Sequence, residues 1–204
     1  AQNGSKVLCK IIAYPFDKNP EGVIADIVKQ ENEVKTAEKA VIENAGIETE
    51  FPAKVIECLD KIPSTVSESD KKGRLDLTKQ IIITIDGDDS RDFDDAISVE
   101  KNEKGFILGV HIADVSHYVK EGSEIDKEAL SRATSIYFPD FVIPMLPEKL
   151  SNGICSLNEG VERLTLSCIM KIDKSGSVYD YEFHNSVIKS RNRMTYKKVQ
   201  KICL

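Results

Sequence analysis

Ile83-Thr-Ile-Asp86-Gly-Asp-Asp-Ser-Arg-Asp92-Phe-Asp94-Asp95-Ala-Ile97 decides how this chain is read, because it joins an apolar run to six aspartates within ten residues. Carboxylates at that density repel one another and raise each other's pKa unless water or a divalent cation screens them. The flanks favour the cation. Gln80-Ile-Ile-Ile-Thr-Ile-Asp86 is a continuous apolar run that predicts a strand buried on both faces, and Phe93, Ala96 and Ile97 are apolar on the far side. The cluster thus starts and finishes at a core, which a solvated acidic loop does not need. In an extended strand residues 92 and 94 point one way and 93 and 95 the other. Asp86, Asp92, Asp94 and Asp95 therefore converge only if the backbone turns or bulges near 92–95, and Gly87 and Ser90 allow a tight path to that point. Carboxylates are hard ligands that favour Mg2+ or Mn2+. A calcium loop of the EF-hand type is excluded, because its glycine and glutamate positions, counted from Asp86, hold Arg91 and Ile97. A solvated acidic turn stays open as the plainer alternative.

Working downstream, strands are predicted at 94–100 and 105–113, and Ser123-x-x-Asp126 reads as a capping box for a helix to about Ala133. Residues 134–153, rich in aromatic residues and proline, read as an ordered loop. A hairpin follows, with strands near 163–172 and 177–189 joined through Asp173-Lys-Ser-Gly176. Thr195 opens a last helix on which Val199 and Ile202 share a face. Upstream, polar residues 63–78 read as a connector, and a boundary is expected there. Before it, a helix after Pro52 carries Val55, Ile56, Leu59 and Ile62 on one side and ends at Pro63. An earlier helix, capped by Asn32, has Val34, Ala37, Val41 and Ala45 on one face beside Ile42, and Gly46 stops it. Strands over Lys6–Tyr14 and Gly22–Val28, separated by the turn residues Pro15 to Pro20, look like the tail of a small β-barrel. The sequence is expected to be truncated at both ends.

Composition sets limits on the rest. A chain of 204 residues, 41% hydrophobic and 30% charged, folds as one or two domains with a core. No apolar run reaches the roughly 18–20 residues of a membrane-spanning helix, and no secretory signal is visible. Five cysteines at 9, 58, 155, 168 and 203 form no C-x-x-C pair, which disfavours zinc and disulfides and fits a reducing cytoplasm. They are expected to be small buried hydrophobes. The net charge of −6 is uneven: −2 over residues 1–80, −8 over 81–140 and +4 over 141–204. A global basic footprint for nucleic acid is missing. A local acidic site that needs a cation is present.

The aspartate stretch resembles the catalytic signature of the ribonuclease II/ribonuclease R superfamily, the RNB domain. The resemblance continues through Val110-His-Ile-Ala-Asp-Val-Ser-His-Tyr-Val119, Arg132-Ala-Thr-Ser-Ile-Tyr-Phe-Pro139, Ile143-Pro-Met-Leu-Pro-Glu-Lys-Leu-Ser-Asn152 and Ile154-Cys-Ser-Leu157, and its wording is nearer to ribonuclease R. Residues 5–30 resemble the end of the second cold-shock (OB-type) domain that precedes the RNB domain in such enzymes. The resemblance implies an α+β chain in three parts. These are the end of an OB-like cold-shock β-barrel (1–30), a helical connector (31–78) and the N-terminal part of a mixed α/β RNB catalytic domain (79–204). It implies a cytoplasmic 3′→5′ exoribonuclease that hydrolyses single-stranded RNA with the help of Mg2+ or Mn2+ and releases 5′-nucleoside monophosphates. By the same resemblance Asp86 and Asp95 are direct metal ligands, and Asp92 is a ligand directly or through water. Asp94, a catalytic residue with Asp92, orients a water or the substrate end. Tyr137 matches the tyrosine that stacks on terminal RNA bases. The downstream arginine motif and an S1 domain are missing, so the fragment alone is expected to be nearly inactive, its partner being the rest of the same polypeptide.

Other residues carry plainer readings. Asp88 and Asp89 are expected to be solvated, and Phe138 and Phe141 to be ordinary core. His111 and His117 are expected to be satisfied histidines. Asp114 fits a strand-end turn as well as an outer shell of the acidic site. Arg191, Arg193, Lys197 and Lys198 fit phosphate contacts and a solvated helix start equally well. The rival to an enzyme is a non-catalytic RNA-binding or interaction module that keeps the fold, and a third reading is a simple metal-binding structural domain.

Overall fold

The computed structural model describes residues 7–16, 18–27 and 33–204. The expected cap Asn32, the strand ends Lys6 and Val28, and the side chain of Val34 lie outside what is described. The chain divides into two compact units. One holds the described part of Ala1–Glu50 together with Phe138–Phe141, and the other holds Phe51–Tyr137 and Val142–Leu204.

In the first unit, β1 (Val7–Ala13) and β2 (Glu21–Ile27) pair antiparallel from Val7↔Ile27 to Ala13↔Glu21, with irregularities at Leu8/Cys9 and Ile11/Ala13. Gly22 is required by close approach, since a Cβ there would stand 2.9 Å from the Lys10 carbonyl oxygen. Among the described residues this sheet has two strands and does not close into a barrel. Helix α1 (Glu33–Ala45) ends where the sequence predicts: Gly46 takes φ +63°, and the Ile47 amide donates to the Ile42 carbonyl at 3.0 Å.

The second unit begins with α2 (Ala53–Asp60), α3 (Glu68–Lys71) and β3 (Leu75–Asp76). Strands β4 (Ile82–Asp86), β5 (Asp95–Lys101) and β6 (Gly105–Ala113) follow, then α4 (Val115–Tyr118) and α5 (Glu124–Arg132). A small hairpin of β7 (Ile136–Tyr137) and β8 (Val142–Ile143) precedes an irregular helical turn, Lys149–Ile154. The long hairpin β9 (Glu162–Asp173) and β10 (Val178–Lys189), then β11 (Asn192–Thr195) and α6 (Tyr196–Cys203), complete the chain. Seven strands form one sheet in the order β11-β4-β5-β6-β9-β10-β3, in which only the edge strands β11 and β3 run parallel to their neighbours.

Most predicted elements are present, and four differences have physical causes. The compact units part between Glu50 and Phe51 rather than at 30 or 78, because Val55 and Leu59 of α2 are buried with Ile125, Leu150 and Ile154. Ile56, by contrast, faces out. The connector is not featureless: Ser67 and Asp70 form a capping box for α3, and β3 pairs with β10. Residues 134–153 contain β7, β8 and the helical turn. Strand β4 buries Ile82 and Thr84 on one face only, with Ile83 and Ile85 half-exposed on the other.

The covered face of the sheet rests on a cluster of Leu77, Ile82, Phe93, Ala96, Ala113, Leu157 and Ile188. Val115, half-buried at the start of α4, packs against both this cluster and the helical one. Across the same face runs a chain of buried polar groups. The Ser98 hydroxyl meets His111 Nε2 at 3.1 Å, His111 Nδ1 meets Ser167 at 2.7 Å, and Ser167 and Thr165 both meet Ser186. Gly109 is glycine because a Cβ there would collide with the Ser98 hydroxyl and stand 2.7 Å from His111 Nε2. All five cysteines are free thiols, and only Cys155 is buried. Burial as small hydrophobes therefore holds for one of them, whose thiol is pushed up to about 12 by desolvation. Among the described residues no helix is long and apolar enough to cross a membrane.

Candidate active site

The aspartates occupy the loop between β4 and β5, two adjacent antiparallel strands. Asp86 ends β4 beside Thr195 of β11, and Asp95 opens β5 opposite Ile112 of β6. A loop of this length with so much like charge needs anchors, and the structure supplies them through its backbone. Phe93 is 4% exposed, and its aromatic ring pulls the middle of the loop into the core. The Phe93 amide donates to the Ser156 hydroxyl at 3.0 Å, and that hydroxyl donates to the Arg91 carbonyl at 2.9 Å. The Leu157 amide donates to the Phe93 carbonyl and the Ala113 amide to the Asp94 carbonyl, both at 2.9 Å. From the other side the Arg193 guanidinium reaches the carbonyls of Gly87, Asp88 and Ser90 at 3.2, 2.6 and 3.2 Å.

With Phe93 turned inward, its neighbours Asp92, Asp94 and Asp95 stay at the surface, Asp92 half-exposed and the other two exposed. Burial raises the Asp86 carboxyl above the ordinary carboxylate range; Asp95 and Asp92 add repulsion, and Arg193 opposes it. Lost hydration also raises Asp94, followed by the charges of Asp92, Asp95 and Asp86. The loop thus brings the four expected aspartates into one field of mutual repulsion, a donor set whose chemistry fits a hard divalent cation. Among the described residues, no three His, Cys, Asp or Glu side chains already form a group that could hold a metal ion.

Tyr137 comes to the same place from β7. Tyr137 is 68% exposed, and its hydroxyl donates to Asp92 Oδ2 at 3.4 Å, the long end of a hydrogen bond. Burial and then the Asp92 charge raise its phenol pKa. Phe138 and Phe141 are not core. They stack on each other with ring centroids 4.6 Å apart, Phe138 half-buried and Phe141 exposed.

The remaining candidates separate clearly. Asp88 is not simply solvated: Lys197 of α6 pairs with it, and that hydrogen bond lowers its pKa. Asp89 is exposed. His111 is fully buried and bonded to serines on both ring nitrogens. His117 stands between Arg74 and Asp70, with Nε2 3.2 Å from Asp70 Oδ1. Asp114 caps α4 and pairs with Arg74 at 2.7 Å. Burial raises the Asp114 carboxyl, but Arg74 and the Ser116 hydroxyl outweigh it, and the net shift is downward. Arg191 and Lys198 are exposed. Ser156 and Arg193 escape a reading of the sequence as loop anchors, because their partners are backbone atoms that any residue supplies. Residues 190–195 hold a single apolar side chain, Met194, so no alternation marked β11 in the sequence.

Comparison with known proteins agrees with this picture. Residues 74–203 match the RNB domain family and residues 1–52 match the cold shock domain. Ribonuclease R of Thermotoga maritima is 50% identical over 203 residues, which cover 98% of this chain and 29% of that protein. The chain thus spans under a third of the length of this curated relative. The structure of Mycoplasma genitalium RNase R in complex with double-stranded RNA superposes with a TM-score of 0.86 at 34% identity, covering all of this chain and 37% of that one. Yeast Ssd1, a pseudonuclease, superposes over 95% of this chain with a TM-score of 0.70 at 19% identity, a likeness of fold alone.

Proposed function

Because the chain belongs to the RNB-domain (ribonuclease II/ribonuclease R) superfamily, we propose that it carries the acidic part of a 3′→5′ exoribonuclease centre acting on single-stranded RNA. In this reaction water attacks the phosphorus between the last two nucleotides. The bond to the penultimate 3′ oxygen breaks, and the terminal residue leaves as a 5′-nucleoside monophosphate. One observation carries the reading: a single anchored loop gathers Asp86, Asp92, Asp94 and Asp95 into mutual repulsion, with the exposed Tyr137 ring beside Asp92.

Asp86, Asp92 and Asp95 are the residues that would hold Mg2+ or Mn2+. Such an ion activates water and neutralises charge on the leaving oxygen. Asp94, exposed beside Asp92 and Asp95, would orient the attacking water or the 3′ end of the substrate. Asp92 also accepts from the Tyr137 hydroxyl, which fixes the exposed ring as a face for the terminal base. The relatives' greater length supports a further partner, the remainder of the same polypeptide, which would complete the RNA path. A cytoplasmic setting fits the free thiols.

The test is cleavage of labelled single-stranded RNA by the full polypeptide that carries this chain, with Mg2+ or with EDTA. Asp94→Asn, which keeps the side-chain shape and removes the charge, is expected to reduce kcat by about 100-fold or more with little change in RNA affinity. RNA binding without cleavage by the unaltered protein would overturn the enzyme in favour of a binding module.

A further inference from the structure

The aspartate loop has a second support that neither its own sequence nor its flanking strands provide. It comes from β11, more than a hundred residues further along the chain. Register fixes the geometry: β11 lies parallel to β4, with Arg193 opposite Thr84 and Thr195 opposite Asp86. Arg193 itself is held, since its backbone amide donates to Glu159 Oε2 at 2.7 Å. Its guanidinium carbon lies 5.1 Å from the centroid of the Phe93 ring, the apolar anchor of the loop. One terminal nitrogen, Nη2, then shares its two hydrogens among the carbonyls of Gly87, Asp88 and Ser90, the shortest contact being 2.6 Å to Asp88. On α6, one helical turn beyond, Lys197 pairs with the Asp88 carboxylate.

We propose that Arg193 is a positioning residue: its cation clamps the first half of the aspartate loop by three backbone carbonyls and so sets where Asp86 and Asp92 stand relative to each other. The inference rests on the exoribonuclease reading for its consequence, though not for the clamp itself. Three carbonyls turned toward one point are themselves a patch of partial negative charge inside an acidic loop. A neutral donor would satisfy the hydrogen bonds but leave that field, whereas the guanidinium does both: Nη2 carries the cation's charge to all three carbonyls while the group rests beside the Phe93 ring, a placement a lysine ammonium does not reproduce. Arg193 hydrogen-bonds backbone carbonyls in this loop, so it leaves the carboxylates of Asp86, Asp92, Asp94 and Asp95 without a bond from its guanidinium while its charge opposes the rise at Asp86.

The test uses Arg193→Gln and Arg193→Lys in this chain. Amide hydrogen exchange over residues 87–94 reads the clamp, and Mn2+ titration followed by water-proton relaxation reads the carboxylates. Hydrogen bonds to a charged group are worth roughly ten- to a hundredfold in an opening equilibrium. The loop amides of Arg193→Gln are therefore expected to exchange faster by about that factor, with β6 and β9 unchanged. Mn2+ affinity is expected to fall about 10- to 100-fold, as when a residue supporting metal ligands is lost. Arg193→Lys is expected to fall between, and it decides the matter by the same two readouts if the glutamine variant does not fold. Unchanged loop exchange, or acceleration spread evenly over the sheet, would overturn the proposal. If the unaltered chain binds no Mn2+, the metal reading above fails, and the exchange data alone decide the clamp.

Discussion

At the scale of single residues, this chain uses burial to separate histidines and carboxylates by role. His111 is enclosed by serines with no carboxylate beside it, and desolvation lowers its pKa from 6.5 to about 4. The sign of the consequence follows from proton counting. Between those values the unfolded chain binds a proton at this site that the folded chain does not, so stability rises with pH across the window and falls as the solution is acidified from about 6.5 toward 4. Across the full window the site contributes on the order of 3 kcal/mol. Urea unfolding at pH 7 and pH 5 reads the upper part of that window, about 2 kcal/mol, and His111→Gln is expected to flatten that part of the profile at some cost in stability at pH 7. A profile unchanged in the variant would mean other groups carry the dependence. His111 was legible as a satisfied histidine beside a strand, since hydrolysis assisted by metal ions needs no histidine base. The serines that satisfy it were not, because Ser98 and Ser167 reach it only through strand pairing.

At the scale of elements, the decisive unit is the loop from β4 to β5 with its anchors. Ser156 illustrates how narrow that anchoring is. Its hydroxyl accepts from the Phe93 amide and donates to the Arg91 carbonyl from a fully buried position. Ser156→Ala leaves both backbone groups without that partner, at a cost of about 1–3 kcal/mol. Thermal unfolding would show the loss. In the full polypeptide, RNA cleavage is expected to fall further than stability alone accounts for, because the orphaned amide lies next to Asp92 and Asp94. An unchanged melting temperature would mean that water replaces the hydroxyl. The sequence showed that the loop must bend near 92–95. It did not show that Phe93, by turning into the core, is what makes the bend.

At the scale of the whole molecule, the seven-stranded sheet of the second unit is apolar on both faces but covered on one. Val99, Ile112, Leu166, Tyr181 and Phe183 share the open face, and each is between 47% and 64% exposed. A continuous apolar surface of this kind binds hydrophobic dyes and promotes association. The 204-residue chain is therefore expected to enhance the fluorescence of an anilinonaphthalene sulfonate while still showing a cooperative unfolding transition. Sedimentation is expected to show concentration-dependent association that Phe183→Lys weakens. Sedimentation as a monomer at all concentrations, with no dye binding, would mean that the face is covered by a rearrangement of the chain.

The sequence by itself determined the family and the order of most strands and helices. These are local facts: the period of apolar residues, capping and turn chemistry, and short motifs whose residue types are the chemistry. Tertiary structure alone decided the edge strands β3 and β11, the division at Glu50 rather than 30 or 78, and the anchoring of the acidic loop by Ser156 and Arg193. The edge strands and the loop anchors depend on backbone atoms of segments far apart in the chain, and the division at Glu50 on the packing of α2 side chains against equally distant ones. No local pattern of side chains records either dependence.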